Sequence, residues 1–412
     1  MRILVVNYEF PPVGGGGGVA AHKLARQWAR RAQVDYLTSR FGDQPQREVI
    51  DGIHVYRVPV VGRSSLHAAS ASSILTYPLT GLLCGLGLMR RPYDVINTHF
   101  AVPSGPLGAA LSLMSRAPNV LSVHGGDIYD PSRRFSPHSL APLRSVVRSV
   151  LRGADLVVAQ SNDIAARVRR YFGQELSAKL RIVPLPFEAP AETQGLPAHG
   201  DTEAVGRLRQ ELGLRLDAQY LVAVGRFVKR KAFDRLVLSL ELLPRHVHLI
   251  LVGDGPLRPS VAELARERGL EQRVRMPGWV AEGDKYRYLA ASDLYVLSSE
   301  HEGFGIVLQE AMCVGLPIVA TSHGGQTDLL THGVNGLMTE SNDPAALAKS
   351  IVLLLSDSAM RGAMAAANRL KVLDYREEEV AGRYMTLFEA AIRASRALPA
   401  RRVTGQRPNA PV

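Results

Sequence analysis

Apolar residues in this chain fall into two series of short runs. The first lies at Arg2 to Asn7, Gln33 to Leu37, His54 to Val58, Asp94 to Thr98, Val120 to His124, Asp155 to Ala159 and Arg181 to Pro184. Each run has the length of a strand, and segments of helical character stand among them at Val19 to Ala32, 104 to 115, 139 to 152 and 162 to 171. Strands alternating with helices predict a parallel sheet covered on both faces. A second series, near 220 to 224, 247 to 251, 273 to 276, 294 to 297 and 317 to 320, repeats the pattern. Between the two series, residues 186 to 208 are rich in Pro, Ala, Gly and acid and lack a strand or helix period until their end, the mark of an interdomain connection. The fold class read from this is α/β, with two doubly wound domains over residues 1–190 and 209–374 and a linker at 191–208.

Length and composition agree with that division. A chain of 412 residues exceeds one ordinary core, and 46% hydrophobic with 21% charged residues is the composition of a soluble globular protein. Cys84 and Cys313 both sit in apolar segments, which predicts buried thiols, a reducing compartment and no metal cluster. Met1 to Asn7 reads as a strand, so no signal peptide is expected. Ile74 to Met89 is the best membrane candidate. It is shorter than about 20 apolar residues and contains Pro and Gly, so a buried or surface-inserted helix is expected instead of a span.

Charge changes the picture of partners. Residues 1–190 hold 22 Lys and Arg against 12 Asp and Glu, whereas residues 191–412 hold 27 against 26. In the basic half, Lys23, Arg26 and Arg30, and again Arg144, Arg148 and Arg152, recur at helical spacing. Such stripes serve either as solvated faces or as contacts for anionic lipid head groups. Nucleic acid is not expected, because aromatic interleaving and nucleic-acid signatures are absent.

Candidate chemistry gathers at strand ends, where ligands of doubly wound sheets bind. Ser298 to Glu310 reads SSEHEGFGIVLQE: a strand end, a glycine-bearing turn and a helix start whose free N–H groups near Gly303 to Ile306 suit an anion. Glu302 in the turn would meet a hydroxyl-rich part of a ligand, and Glu310, about two helical turns on, a vicinal diol such as a ribose. Five glycines, Gly14 to Gly18, follow the first strand and precede a helix, the arrangement of a phosphate cradle, although the spacing is neither a dinucleotide fingerprint nor a P-loop. His124-Gly125-Gly126-Asp127 leaves another strand. There, His124 would donate to or exchange a proton with a substrate hydroxyl near neutral pH, and Asp127 would hold hydroxyls or stay solvated. His99 reads equally as a contact or a core histidine. In VGRFVKRKAFD, Gly225 ends a strand and Arg226 and Lys231 are placed to neutralise a diphosphate, Lys229 and Arg230 being read mainly as a solvated loop. The chain contains no Asp-x-Asp, so protein cations would do that electrostatic work and no metal is expected.

These residues together resemble the large retaining glycosyltransferase family with the GT-B fold, numbered four in the usual sequence classification, over essentially the whole length. The resemblance implies two facing Rossmann-like domains with the donor crevice between them and a last helix, about 375–398, crossing back to the first domain. It implies that Gly15, Gly16, Gly17, Gly18, Gly225, Phe304, Gly305, Ile306 and Glu310 bind the donor. By the same resemblance, His124, Arg226, Lys231 and Glu302 serve the reacting centre. Two departures stand out: Lys231-Ala232 where many relatives have Lys-Gly, and Asp328 where many have Glu, which shortens a carboxylate toward the ligand.

The implied reaction moves a sugar from a UDP- or GDP-sugar to a hydroxyl with retention at the anomeric carbon, without cofactor. The expected acceptor is a lipid-linked or cell-envelope glycan, handled in the cytoplasm at the inner face of the membrane with peripheral contact to anionic lipid. A small soluble acceptor, or a non-catalytic sugar-binding protein on the same frame, are the alternatives.

Overall fold

The computed structural model describes residues 1–66, 69–132, 136–340 and 343–397. The first sheet contains β1 (Arg2–Val6), β2 (Gln33–Ser39), β3 (Arg47–Ile50), β4 (Ile53–Val58), β5 (Val95–His99), β6 (Asn119–Val123), β7 (Leu156–Ala159) and β8 (Leu180–Ile182). Its spatial order is β3-β4-β2-β1-β5-β6-β7-β8. The second contains β9 (Gln219–Val224), β10 (Val247–Val252), β11 (Val274–Gly278), β12 (Leu294–Leu297), β13 (Ile318–Thr321) and β14 (Leu337–Thr339), in the order β11-β10-β9-β12-β13-β14. Central strands such as β1 are apolar at consecutive positions because both faces are covered: Ile3 through Val6 are fully buried.

Every strand pair is parallel except β3 with β4. The expected strand series omits β3 and β14. At β3, an edge hairpin arm, residues alternate between exposed and half-buried and give no apolar run, and β14 has only three residues. Among the parallel strands of each sheet the chain order reverses at one place, between β1 and β5 and between β9 and β12, which sets the crevice beyond those carboxyl ends.

The connection between the sheets is shorter than its composition suggests. A helix at Thr202–Glu211, capped by Asp201, buries Leu208 in the second core. The chain crosses back near Tyr375, whose carbonyl accepts the Phe187 N–H at 2.7 Å, so the two crossings run side by side. The Glu377–Ala397 helix then packs on the first sheet, with Tyr384 and Phe388 against Trp28 and the Tyr384 hydroxyl 3.0 Å from that of Ser122.

The basic stripes are partly engaged by the protein itself, although Arg30 and Arg152 stay exposed. Lys23 and Arg26 reach the buried Glu377 at 3.3 and 2.6 Å, and Arg26 also reaches Glu188 at 2.5 Å. Arg152 pairs with Glu175, and Arg148 donates to the Tyr171 carbonyl. An apolar helix occupies Ala71–Leu88, lying against the Ser104–Ser115 helix, where Gly81 and Gly85 let Leu107 and Leu111 approach its backbone.

Candidate active site

The glycine run after β1 differs from its sequence reading. The helix begins at Gly16, not at Val19, and runs to Ala29, so Gly16, Gly17 and Gly18 form its first turn behind the N-cap Gly15. The anion at its N-terminus is internal: Glu9 Oε2 accepts the Gly15 and Gly18 N–H groups at 3.0 and 3.2 Å. These glycines are needed for close approach. A Cβ at Gly14 or Gly18 would collide with Glu9, at Gly17 with the Phe100 ring, and at Gly16 it would stand 2.9 Å from Ile306 of the second domain. Burial raises the Glu9 carboxyl above its ordinary pKa, although the N–H groups and the Arg63 and Arg226 charges oppose the shift.

His124 is reached by a relay that fixes its tautomer. The Asn97 amide donates to the Val120 carbonyl, so its oxygen accepts from His99 Nε2 at 2.7 Å. His99 Nδ1 therefore accepts from His124 Nε2, 3.0 Å away. This leaves His124 Nδ1 a bare acceptor, buried and unpartnered among the described residues. Burial depresses the His124 pKa to about 3, which favours a neutral imidazole offering a lone pair over the expected proton exchange near neutrality. His99 is the core member of the relay, fully buried. Asp127 is equally internal, accepting the His124 and Ala101 backbone N–H groups at 2.9 and 2.7 Å and so bracing the turn.

Across the crevice, Glu302 is occupied by protein partners. Its Oε1 accepts from Lys231 Nζ and Ser299 Oγ, both at 2.6 Å, and Oε2 from Arg230 at 3.2 Å. Burial alone would raise its pKa, but Lys231 and Arg230 outweigh that and hold it at about 2. Lys231 is itself buried, so its ammonium acts from within this cluster, whereas Arg226 is exposed at the crevice. Arg230, read as solvated, and Ser299 thus join the site; their spacing in sequence gave no signal of it.

Gly305, at φ +110°, caps the helix Ile306–Cys313, which carries Glu310. One Glu310 oxygen accepts from Lys285 at 2.8 Å; the other, Oε2, is buried with no hydrogen-bond partner among the described residues. Burial raises the Glu310 pKa against the pull of Lys285. The residue lines a cleft of about 760 Å³ between the domains, together with Gly16, Lys23, Phe187, Lys285 and Ile306. Lys285 lies on the Glu282–Ala290 helix, and nothing local in the sequence marks it.

The two halves meet at glycines. A Cβ on Gly303 would lie 2.6 Å from the His124 carbonyl oxygen, and Ser161 donates to the Gly303 carbonyl at 2.7 Å. Asp328 Oδ2 accepts the Asn162 backbone N–H at 2.7 Å, so this carboxylate serves the contact between the domains. Phe304 is buried beside Tyr375, and Gly225 lies against the Lys231 side chain. Among the described residues, no group of three or more His, Cys, Asp or Glu is placed to hold a metal ion.

Residues 205–371 match the family model described as glycosyl transferases group 1, and residues 15–186 match that of a glycosyl transferase 4-like domain. A D-inositol 3-phosphate glycosyltransferase of Kineococcus radiotolerans is 30% identical over 392 residues, 86% of either chain. The lipopolysaccharide core biosynthesis glycosyltransferase LpsE of Rhizobium meliloti is 34% identical over 181 residues, 44% of this chain and 52% of its own. Among solved structures, Anabaena HepE in complex with UDP-glucose superposes with a TM-score of 0.74 at 22% identity, covering 95% of this chain and 100% of that one.

Proposed function

Because this chain belongs to the group 1 glycosyltransferases with the GT-B fold, we propose that it transfers a sugar from a UDP- or GDP-sugar to a hydroxyl of a lipid-linked or cell-envelope glycan, with retention. The observation that supports the donor assignment is Glu310 Oε2, a buried acceptor without a partner among the described residues, in an interdomain cleft large enough for a nucleoside. A ribose diol would satisfy it. Arg226, with the helix N-terminus at Gly305 and Ile306, would take the diphosphate, while Lys231 adds charge from inside the Glu302 cluster.

In the reaction, the bond from the anomeric carbon to the diphosphate oxygen breaks as the acceptor oxygen bonds to the same face of that carbon. The acceptor proton passes to the departing diphosphate. Charge grows on that leaving group, so Arg226 would stabilise the transition state more than the ground state. His124 Nδ1 would accept a hydrogen bond from a donor-sugar or acceptor hydroxyl and so orient it.

The acceptor class rests on the name of the Rhizobium relative and the basic first half. A small soluble acceptor is the second reading, favoured by the name of the Kineococcus relative, which matches at greater length.

Calorimetry with a panel of UDP- and GDP-sugars tests the donor assignment. One nucleotide class should bind and raise the unfolding temperature. Glu310→Gln should weaken that binding ~10-fold, since an amide oxygen is a poorer acceptor than a carboxylate. Equal donor affinity in the variant would remove Glu310 from the ribose. NMR of the product reads retention directly.

A further inference from the structure

The Ala71–Leu88 helix is built inside out. Its inward stripe is Ser73, Tyr77, Gly81 and Gly85, all buried, with the Tyr77 hydroxyl donating to the Leu37 carbonyl at 2.9 Å. Its outward stripe is apolar: Leu75, Leu79 and Leu83 are 72%, 69% and 74% exposed, and Leu86 continues the row. On the neighbouring Ser104–Ser115 helix, Leu113 and Met114 are 80% and 55% exposed. An ordinary surface helix points such residues at the core, and scattered exposed leucines need no explanation; a row on one helix with a second pair beside it does.

The rim of this face has one sign. Arg90, Arg91 and Arg116, all exposed, follow the C-terminal ends of the two helices. Asp94 is the one acidic residue between Gly52 and Gly126, and its carboxylate is engaged by the Arg2 backbone N–H and by Arg396. The helix is long and apolar enough, by length and composition, to cross a membrane. The Tyr77 bond and its packing on Ser104–Ser115 instead hold it flat on the domain.

We propose that this leucine face seats the first domain on an anionic lipid surface, the leucines entering the head-group boundary and the three arginines meeting lipid phosphates. The expected basic stripes offer less, since Lys23 and Arg26 are spent on the buried Glu377 and Arg152 on a surface pair with Glu175. The face also has a bearing on the acceptor. Ser73 and Ser104, in the first turns of the two helices, hold the Tyr8 hydroxyl and backbone N–H at 2.7 and 2.9 Å, and Tyr8 immediately precedes Glu9 at the crevice. A lipid-borne acceptor would thus enter beside the helix N-termini. That consequence rests on the proposed lipid-linked acceptor; the seating itself does not.

Sedimentation of the full chain with phosphatidylcholine vesicles, with and without phosphatidylglycerol, at low and high salt, tests the seating without any turnover. The wild type should bind the anionic vesicles at least ~10-fold better than the neutral ones at low salt and retain a salt-resistant remainder. Leu79→Gln with Leu83→Gln should abolish that remainder at an unchanged unfolding temperature. Arg90→Ala, Arg91→Ala and Arg116→Ala together should erase the preference for anionic lipid. Negligible binding to both vesicle types, or equal binding by the leucine variant and the wild type, overturns the proposal. So does light scattering that shows a dimer abolished by the leucine pair without vesicle binding, since the face would then join two copies. Either result leaves donor binding, measured separately, untouched.

Discussion

Lys231 and Glu302 hold each other so closely that neither acts alone. Their contact is 2.6 Å and buried, with Arg230 and Ser299 as further partners of the carboxylate. Removing one member of such a pair strands the other: Glu302→Gln should cost about 3 kcal/mol in urea unfolding, because the Lys231 ammonium loses its counter-charge. Lys231→Met should cost less, since Arg230 and Ser299 remain on Glu302. The double variant should be less destabilised than the sum of the singles. Additive losses would show that the two do not act as a pair. Both residues were legible in the sequence as strand-end chemistry, but their contact was not. They lie 71 positions apart, and only the parallel pairing of β9 with β12 brings the ends of those strands together. Glu9 was missed for the opposite reason: it adjoins the glycines so closely that they read as space for a ligand, when two of them, Gly14 and Gly18, make room for Glu9 itself.

At the scale of elements, alternating apolar runs revealed the buried parallel strands, because a strand covered on both faces must be apolar at consecutive positions. Where burial is one-sided or brief, as in β3 and β14, no run exists to be read. Helix starts were less legible than helix bodies, as Gly16 shows, since glycine is read as a break even where an acceptor caps the first turn. The Lys231-Ala232 departure has a structural consequence as well. Ala232 caps the Phe233–Glu241 helix at φ +49°, ψ +44°, a left-handed conformation that costs a residue with a Cβ ~1 kcal/mol or more. Ala232→Gly removes that strain but adds freedom to the unfolded chain, so the net gain should be positive and below about 1 kcal/mol. It would be seen as a higher urea midpoint at constant slope. A lower midpoint would mean that the alanine is held there without strain.

For the whole molecule, one ionic knot at the paired crossings adds to the contacts between the domains by fixing the returning helix on the first one. Glu377 is buried at the head of the helix that returns to the first sheet, and it gathers Arg26 at 2.6 Å, Gln27 at 3.2 Å and Lys23 at 3.3 Å from the glycine-loop helix. Arg26 also holds Glu188 on the other crossing. Burial would raise the Glu377 pKa, but the Arg26 hydrogen bond and the Lys23 charge outweigh it and hold it below the usual value. The sign of the linkage follows. With a native pKa depressed below the unfolded one, the knot contributes stability above the ordinary glutamate pKa of about 4.3 and loses it as pH falls through the native value. The cations are partly exposed, which screens the pair, so Glu377→Gln should cost about 2 kcal/mol at neutral pH. Thermal unfolding of both forms from pH 7 downward decides the matter. The gap between them should be constant to about pH 5 and shrink below about pH 4 as the wild-type carboxylate protonates. A gap that stays constant into that range would mean that Glu377 holds the domains by its shape and hydrogen bonds, without its charge.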